Sequence, residues 1–398
     1  LAICVIADPG EARLCVWDGE SSSPLASDAT NWDNDLAPVA NDSILFDGLN
    51  ATGDDPCTWD LATDSFGTFT IGAGYSGTIT QSSDMYISGY SQAGGTFTGV
   101  TTKWVYCSGN FVYSAGTITN NKLSLEMSGD YKTLTYWSHN NFYSLKINGI
   151  INTTNNFFVY KEFNVAGTLN IASGKFIAFQ FGYIGSVNTF VGNGIINGPG
   201  KLNFQFHNMD NSLNVESLTI NCPVEIYTYT ANRICSLNGD FVSTNTVNIY
   251  SRHATNTCTL NLNGHSLTAT TITVGTRGIL QCGEGTITTG SLDSSAGTIT
   301  PETAQWIFDG AGTIKTNGND KFHDMVVRED AFITLRSNII VENEIMNAGE
   351  IVLGGYAITH ETPSEHYTIP MVYPIVRSVK RSPFFKGRFT KNFEKGGM

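Results

Sequence analysis

Charge is scarce in this chain of 398 residues. Asp, Glu, Lys and Arg make up 14% of it, against about 25% in an average globular protein. Proline is scarce as well, at 11 residues, which argues against Pro-rich disorder, and glycine lacks the third-residue period of collagen. No run of about 18 apolar residues occurs, so there is no candidate membrane-spanning helix. The eight cysteines (Cys4, Cys15, Cys57, Cys107, Cys222, Cys235, Cys258 and Cys282) include no CxxC pair, so zinc ribbons and redox motifs are unsupported. The seven histidines (His139, His207, His253, His265, His323, His360 and His366) form no HExxH. No GxSxG surrounds a serine, and no glycine loop leads into a helix that would cradle phosphate.

What the chain has is glycine and short strand-forming bursts. Glycine stands at 41 residues, above the usual ~7%. Apolar residues alternate with polar ones almost everywhere, as in Ile333 and Leu335, Ile339 and Val341, Ile351 and Leu353. Alternation at period two marks half-buried strands, and Thr, Val, Ile, Phe and Tyr suit a pleated sheet. Each burst lasts three to five residues and ends at Asn or Gly. One phrase recurs: GTFTI at 67–71, GTIT at 77–80 and 116–119, GTFTG at 95–99, GTLNI at 167–171, then GTIT from Gly285 and Gly297 and GTIK from Gly312. A repeat too short to close its own core must stack on its neighbours. Sandwiches and propellers also use short strands, but matched hairpins joined by Asn-Gly turns are missing. The expected fold is all-β: a parallel β-helix, or β-solenoid, with turns at Asn and Gly where φ is positive.

Three stretches carry a resemblance. CTLNLNGHSLTATTITVGTRGILQCGEGTIT (258–288) and WIFDGAGTIKTNGNDKFHDMVV (306–327) resemble the rungs of right-handed β-helix surface proteins. That group spans autotransporter passengers, secreted adhesins and bacteriophage tail or fibre proteins. VWDGESSSPLASDATNWDNDLAPVANDSILFDG (16–48) resembles the Trp- and Asp-bearing module that precedes such helices. The resemblance implies an N-terminal β capping module over residues 1–60 and a solenoid over 61–368. The middle, roughly 125–256, matches less clearly and is expected to hold irregular rungs or a lateral sheet. Such motifs are structural, so they speak for architecture more than for function.

The net charge of −13 is unevenly spread. In residues 377–398, seven bases against one acid, Glu394, give +6. The remaining 15 bases against 34 acids give −19. An acidic body repels nucleic acid. Residues 369–398 carry no rung, and are read as an extended basic, aromatic arm. Its candidate interface residues are Arg377, Lys380, Arg381, Phe384, Phe385, Lys386, Arg388, Phe389, Lys391 and Phe393. The arm's four Phe would each gain roughly 1.5–3 kcal/mol on burial, so it is expected to dock on the body or on another copy. The start, LAICVIADPGEARL, reads either as the remnant of a cleaved signal or as a first strand.

Candidate chemistry is thin. Asp28, Asp33, Asp35, Asp42, Asp47, Asp54 and Asp55 offer the oxygen ligands calcium takes, although DGLNATGDD is not an EF-hand; solvated loop acids are the plainer reading, and no cofactor is expected. Most cysteines read as small buried residues, with one or two disulfides near the N-terminus as an alternative. β-Helices also host glycan lyases and depolymerases, which need paired acids, or a base with Arg, facing one groove. Glu126, Asp130, Glu162, Glu216, Glu225, Asp240 and Glu284 are scattered, and no pair is selected. Aromatic runs at 136–143, 157–163 and 176–183 could stack sugars or fill the core. Sequons begin at Asn41, Asn50, Asn152 and, in the Cys form, Asn256. The functional expectation is a non-enzymatic, self-associating structural protein of a virion surface (fibre, spike or decoration) or of an extracellular filament or surface layer. The alternatives are a glycan-binding or glycan-depolymerising β-helix and a prokaryotic sheath, S-layer or adhesin subunit. Expected partners are other copies, other surface proteins or a host glycan.

Overall fold

The protein is described by a computed structural model covering residues 12–50, 52–62, 65–119, 122–136, 141–182, 188–215, 217–362 and 365–368. The arm residues Arg377 to Phe393 lie outside these described residues, as do Cys4, His139 and Glu216. Strand accounts for 55% of the described residues and helix for 2%. The all-β, parallel β-solenoid expectation holds. The chain divides into two compact units, one of residues 1–204 with 217–222, the other of 205–216 with 223–398.

In the first unit, strand Leu14–Val16 pairs with Ser43–Phe46, that with Ser65–Ile71, and that with Met85–Gln92, all parallel. The module expected at 1–60 therefore shares its ladder with the rungs that follow. Its Trp and Phe residues meet: Trp17 and Trp32 lie edge to face at 5.2 Å, with Phe46 at 5.6 and 5.9 Å from them. Both indole N–H groups donate, Trp17 to Asp55 O and Trp32 to Ala26 O, as buried indoles require. A second parallel sheet runs from Cys57–Trp59 through Thr78–Gln81 and Thr96–Thr98 to Thr117–Ile118. Here the GT phrase finds its place, with Ile79, Phe97 and Ile118 pointing inward and fully buried.

Like residues stack because every inward position faces the same position one rung on. Ile44, Phe69, Tyr90, Phe111 and Leu134 form one such column, none more than 2% exposed. Tyr90 stacks on Phe111 with ring centroids 4.4 Å apart and planes 5° apart. The long strand Met85–Gln92 pairs with two shorter ones, Trp104–Cys107 and Phe111–Tyr113. Between them the chain turns, and Tyr90 N donates to Asn110 O. The middle holds rungs with register breaks, at Leu123/Ser124 and Phe142/Ser144.

The turns explain the recurring glycines. A Cβ on Gly149 would meet Gly129 O at 2.2 Å, and one on Gly167 would meet Gly149 O at 2.2 Å. Backbone packs on backbone at this corner, so only a residue without a side chain fits.

In the second unit, Val224, Val247, Ile272, Leu292, Ile314 and Leu335 form the matching inward column. A second sheet runs from Asn211–Leu213 through Arg233–Leu237, Cys258–Asn261 and Gly278–Gln281 to Thr298–Thr300. The TNGND phrase is a turn tied by its own side chains. Asp320, 3% exposed, accepts from Ser294 Oγ, Ile299 N and Asn317 Nδ2. The parallel ladder ends at Ile358–Thr362, against which Glu365–Thr368 runs antiparallel. In this last rung the inward Ile345, Ile351, Leu353 and Ile358 are only half-buried.

Candidate functional site

Along the first unit, alternation points every second side chain outward, and register decides which of them become neighbours. On strands Met85–Gln92, Trp104–Cys107, Leu123–Met127, Asn141–Ile147 and Phe157–Val165, one outward column reads Tyr86, Tyr106, Glu126, Lys146, Asn164. The column beside it reads Trp104, Ser124, Ser144, Glu162, with Asp84 next to Trp104. Successive rungs lie about 4.8 Å apart. Residues far apart in sequence thus meet on one face.

Tyr86 and Tyr106 stack at 4.6 Å with planes 4° apart, and Tyr86 is 38% exposed. Trp104 lies 6.4 Å from Tyr106, and its backbone N–H donates to Asp84 Oδ1 at 2.8 Å. Lys146 leans across the columns. Its ammonium sits 4.2 Å from the centre of the Trp104 ring and 3.5 Å from Glu162 Oε1. Trp104 and Glu162 flank Ser124 and Ser144 in their column, so the ammonium hangs over two small residues. Both serines are buried, at 1% and 3% exposure, and Ser124 Oγ has no hydrogen-bond partner. Glu126 Oε1 accepts from Asn148 Nδ2 at 2.8 Å. Burial, helped by Asp84, Tyr86 and Glu126, pushes the Tyr106 phenol above its usual value.

The face gathers an aromatic wall, a carboxylate and a buried, unsatisfied hydroxyl, with a lysine lying across them. Of the scattered acids, register brings Glu126 and Glu162 onto one face. Asp130 instead accepts from Ile150 N and Asp240 from Ser266 N, as turn acceptors, and Glu284 is exposed. Trp104, Tyr86, Tyr106 and Lys146 were not singled out in the sequence. Their only signal is that aromatic residues stand at outward positions of consecutive rungs.

The second unit carries an outer cluster of its own. Arg252 lies 4.3 Å over the Tyr227 ring and 5.4 Å from Tyr229, Tyr227 stacks on Tyr250 at 5.2 Å, and Glu225 accepts from Tyr250 Oη at 3.0 Å. Burial above all pushes the Tyr250 phenol up to about 12. Here Arg252 already covers the rings.

Asp28 caps a short 3-10 turn and accepts from Ser21 Oγ, Asp33 accepts from Val16 N, Asp47 from Leu49 N and Asp54 from Ser76 N. Asp42 is buried against Arg13. Among the described residues no three His, Cys, Asp or Glu side chains converge as a metal-ligand group. The seven described cysteines are all buried and free, and Cys4, the remaining N-terminal one, lies outside the described residues. Burial pushes the Cys222 and Cys258 thiols up to about 12. Most of the aromatic runs are core: Tyr136, Phe142, Phe157, Phe163, Phe179 and Phe181 are at most 1% exposed. The Asn152 side chain accepts from Asn170 Nδ2 within a sheet, a poor position for a glycan acceptor. Among the described residues no helix is long and apolar enough to cross a membrane.

No protein-family model, no curated protein and no solved structure matches this chain, so it is the stacked rungs themselves that define what it is: a parallel β-solenoid.

Proposed function

We propose that this chain is a non-enzymatic structural protein of an extracellular surface, self-associating as a subunit of a virion fibre, spike or decoration, or of a filament or surface layer. The observation that carries the reading is the end of the second unit. Ile345, Ile351, Leu353 and Ile358 face inward there yet stay half-buried, whereas Met325, Ile333 and Leu335, one rung earlier, are at most 1% exposed. An apolar end of this kind is stabilised by a partner. Glu342, Glu344, Glu350 and Glu361 lie on the strands of that end, and the segment from Arg377 to Phe393 offers bases and Phe of complementary kind. The occupant we assign is this arm, from a second copy.

Sedimentation velocity over a range of concentrations tests it. The full chain is expected to assemble as concentration rises, and a chain lacking residues 377–398 to stay monomeric. Assembly unchanged by the deletion refutes the arm's part, and a full chain that stays monomeric at every concentration refutes the structural reading. A sheath or S-layer role belongs to the same class of function.

A second reading, glycan binding, is favoured by the Tyr86–Trp104–Lys146 face. Its carboxylates are already engaged, Glu126 by Asn148 and Glu162 by Lys146. That arrangement supports holding a ligand rather than depolymerising one by acid–base chemistry.

A further inference from the structure

We infer that the Trp104 face of the first unit is a binding site for an amino-bearing sugar, whose ammonium takes the place that Lys146 occupies. The inference is one of ligand chemistry at a single face and stands whether or not the chain self-associates.

The resident lysine shows what the site holds. A primary ammonium sits over the Trp104 ring at 4.2 Å and faces the Glu162 carboxylate at 3.5 Å. Attraction to an indole face and to a carboxylate together is the arrangement that selects a cation over a neutral group. Asp84 and Glu126 stand in the same two columns, where Asp84 accepts from Trp104 N and Glu126 from Asn148 Nδ2.

The floor carries the independent observation. Ser124 Oγ is buried and has no partner. A buried hydroxyl without a partner costs about 1–3 kcal/mol relative to a satisfied one. A ligand bearing hydroxyls or an ammonium at this spot supplies the missing bond, whereas the aliphatic stem of a lysine does not. Beside it, Tyr86 stacks on Tyr106 and is exposed. Apolar rings beside carboxylates and a hydroxyl match a pyranose, which has apolar C–H faces and a polar rim.

Lys146 can vacate the site. Its side chain is 29% exposed, and a lysine can keep its stem on the protein while the ammonium returns to water. It then competes with the ligand for the same place, so the native affinity is held below that of a site without the lysine.

Isothermal titration of the full chain tests this with three probes: a tetramer of glucosamine with free amines, its N-acetylated counterpart, and tetralysine. The amine-bearing tetramer is expected to bind at least about tenfold more tightly than the acetylated one, since acetylation removes the charge that the indole and carboxylate attract. Trp104→Ala is expected to weaken it about tenfold, Glu162→Gln to weaken it several-fold, and Lys146→Ala to tighten it several-fold. Three results overturn the site: no binding by either the native chain or Lys146→Ala; equal binding of the two sugar tetramers; or binding indifferent to Trp104. Tetralysine binding as tightly as the sugar overturns the ligand class, leaving general attraction of cations to an acidic face. If Trp104→Ala fails to fold by circular dichroism, the opposed effects of Glu162→Gln and Lys146→Ala decide, because a merely structural ion pair loses stability in both and gains affinity in neither.

Discussion

Arg13 Nη2 donates to Asp42 Oδ2 at 2.6 Å across 29 residues of chain, and Asp42 is fully buried. The carboxylate also accepts from Arg13 N and Nε, Val39 N and Cys15 Sγ. Burial alone would raise its pKa, but these hydrogen bonds outweigh burial and hold it below the ordinary carboxylate value. Asp42→Asn is expected to destabilise the first rungs by about 3 kcal/mol, because it leaves the amide facing donors it cannot satisfy. The sign of the pH dependence follows. A lowered folded pKa contributes stability that is present above the unfolded value of about 3.9 and is lost as pH falls through the folded one. Urea midpoints followed by Trp fluorescence from pH 7 to pH 2 check both statements. A midpoint in Asp42→Asn that falls with acid as steeply as in the native chain contradicts the assignment.

The cysteines give a second expectation. All seven described ones are buried, and burial raises their pKa, to about 11 for Cys107 and about 12 for Cys15. The thiolate is the reactive form, so a Cys4→Ser chain is expected to give no measurable reaction with a disulfide reagent at pH 8 over hours. Full reaction should come only in denaturant. Rapid labelling of any one native thiol would contradict the burial.

Gly149 tests the packed corners. Gly149→Ala forces a methyl group into the carbonyl of Gly129 at 2.2 Å, and is expected to cost about 2–4 kcal/mol. Gly264→Ala makes the comparison: its φ is +82° but no atom lies within 4 Å of the added carbon, so about 1 kcal/mol is expected from backbone strain alone. Protease susceptibility under native conditions ranks the two. Equal losses would place the effect in conformation rather than contact.

Tyr136 invites a substitution that helps. Its hydroxyl is fully buried among aromatic rings with no hydrogen-bond partner. Tyr136→Phe removes a polar group that folding strips of water, and is expected to be neutral or stabilising by up to about 1–2 kcal/mol. A clear drop in the melting temperature contradicts it.

How much of this could be read from the residues alone differs by level. Alternation at Ile79, Phe97 and Ile118 marks inward and outward positions whatever the register, so the stacked rungs were legible. The glycine of the recurring phrase was legible as a turn, though not the close carbonyl that demands it. Trp17, Trp32 and Phe46 were visible as a module and do form a cluster. The meeting of Trp104, Lys146 and Glu162 was not visible. It depends on how many residues each rung spends before it returns, and the shifts at Leu123/Ser124 and Phe142/Ser144 leave no mark in the local sequence. The arm, from Arg377 to Phe393, lies outside the described residues and keeps its sequence reading alone.

The strand Met85–Gln92 meets two successive strands, Trp104–Cys107 and Phe111–Tyr113, where one would suffice. A straight course of masonry is followed by one with a bend, yet the amide of Tyr90 still finds the carbonyl of Asn110 across the joint. The outline of a layer can therefore change from one to the next without breaking the bonding between layers. Variation in outline, rather than in the bonding, is what leaves such a wall free to present different side chains at different heights.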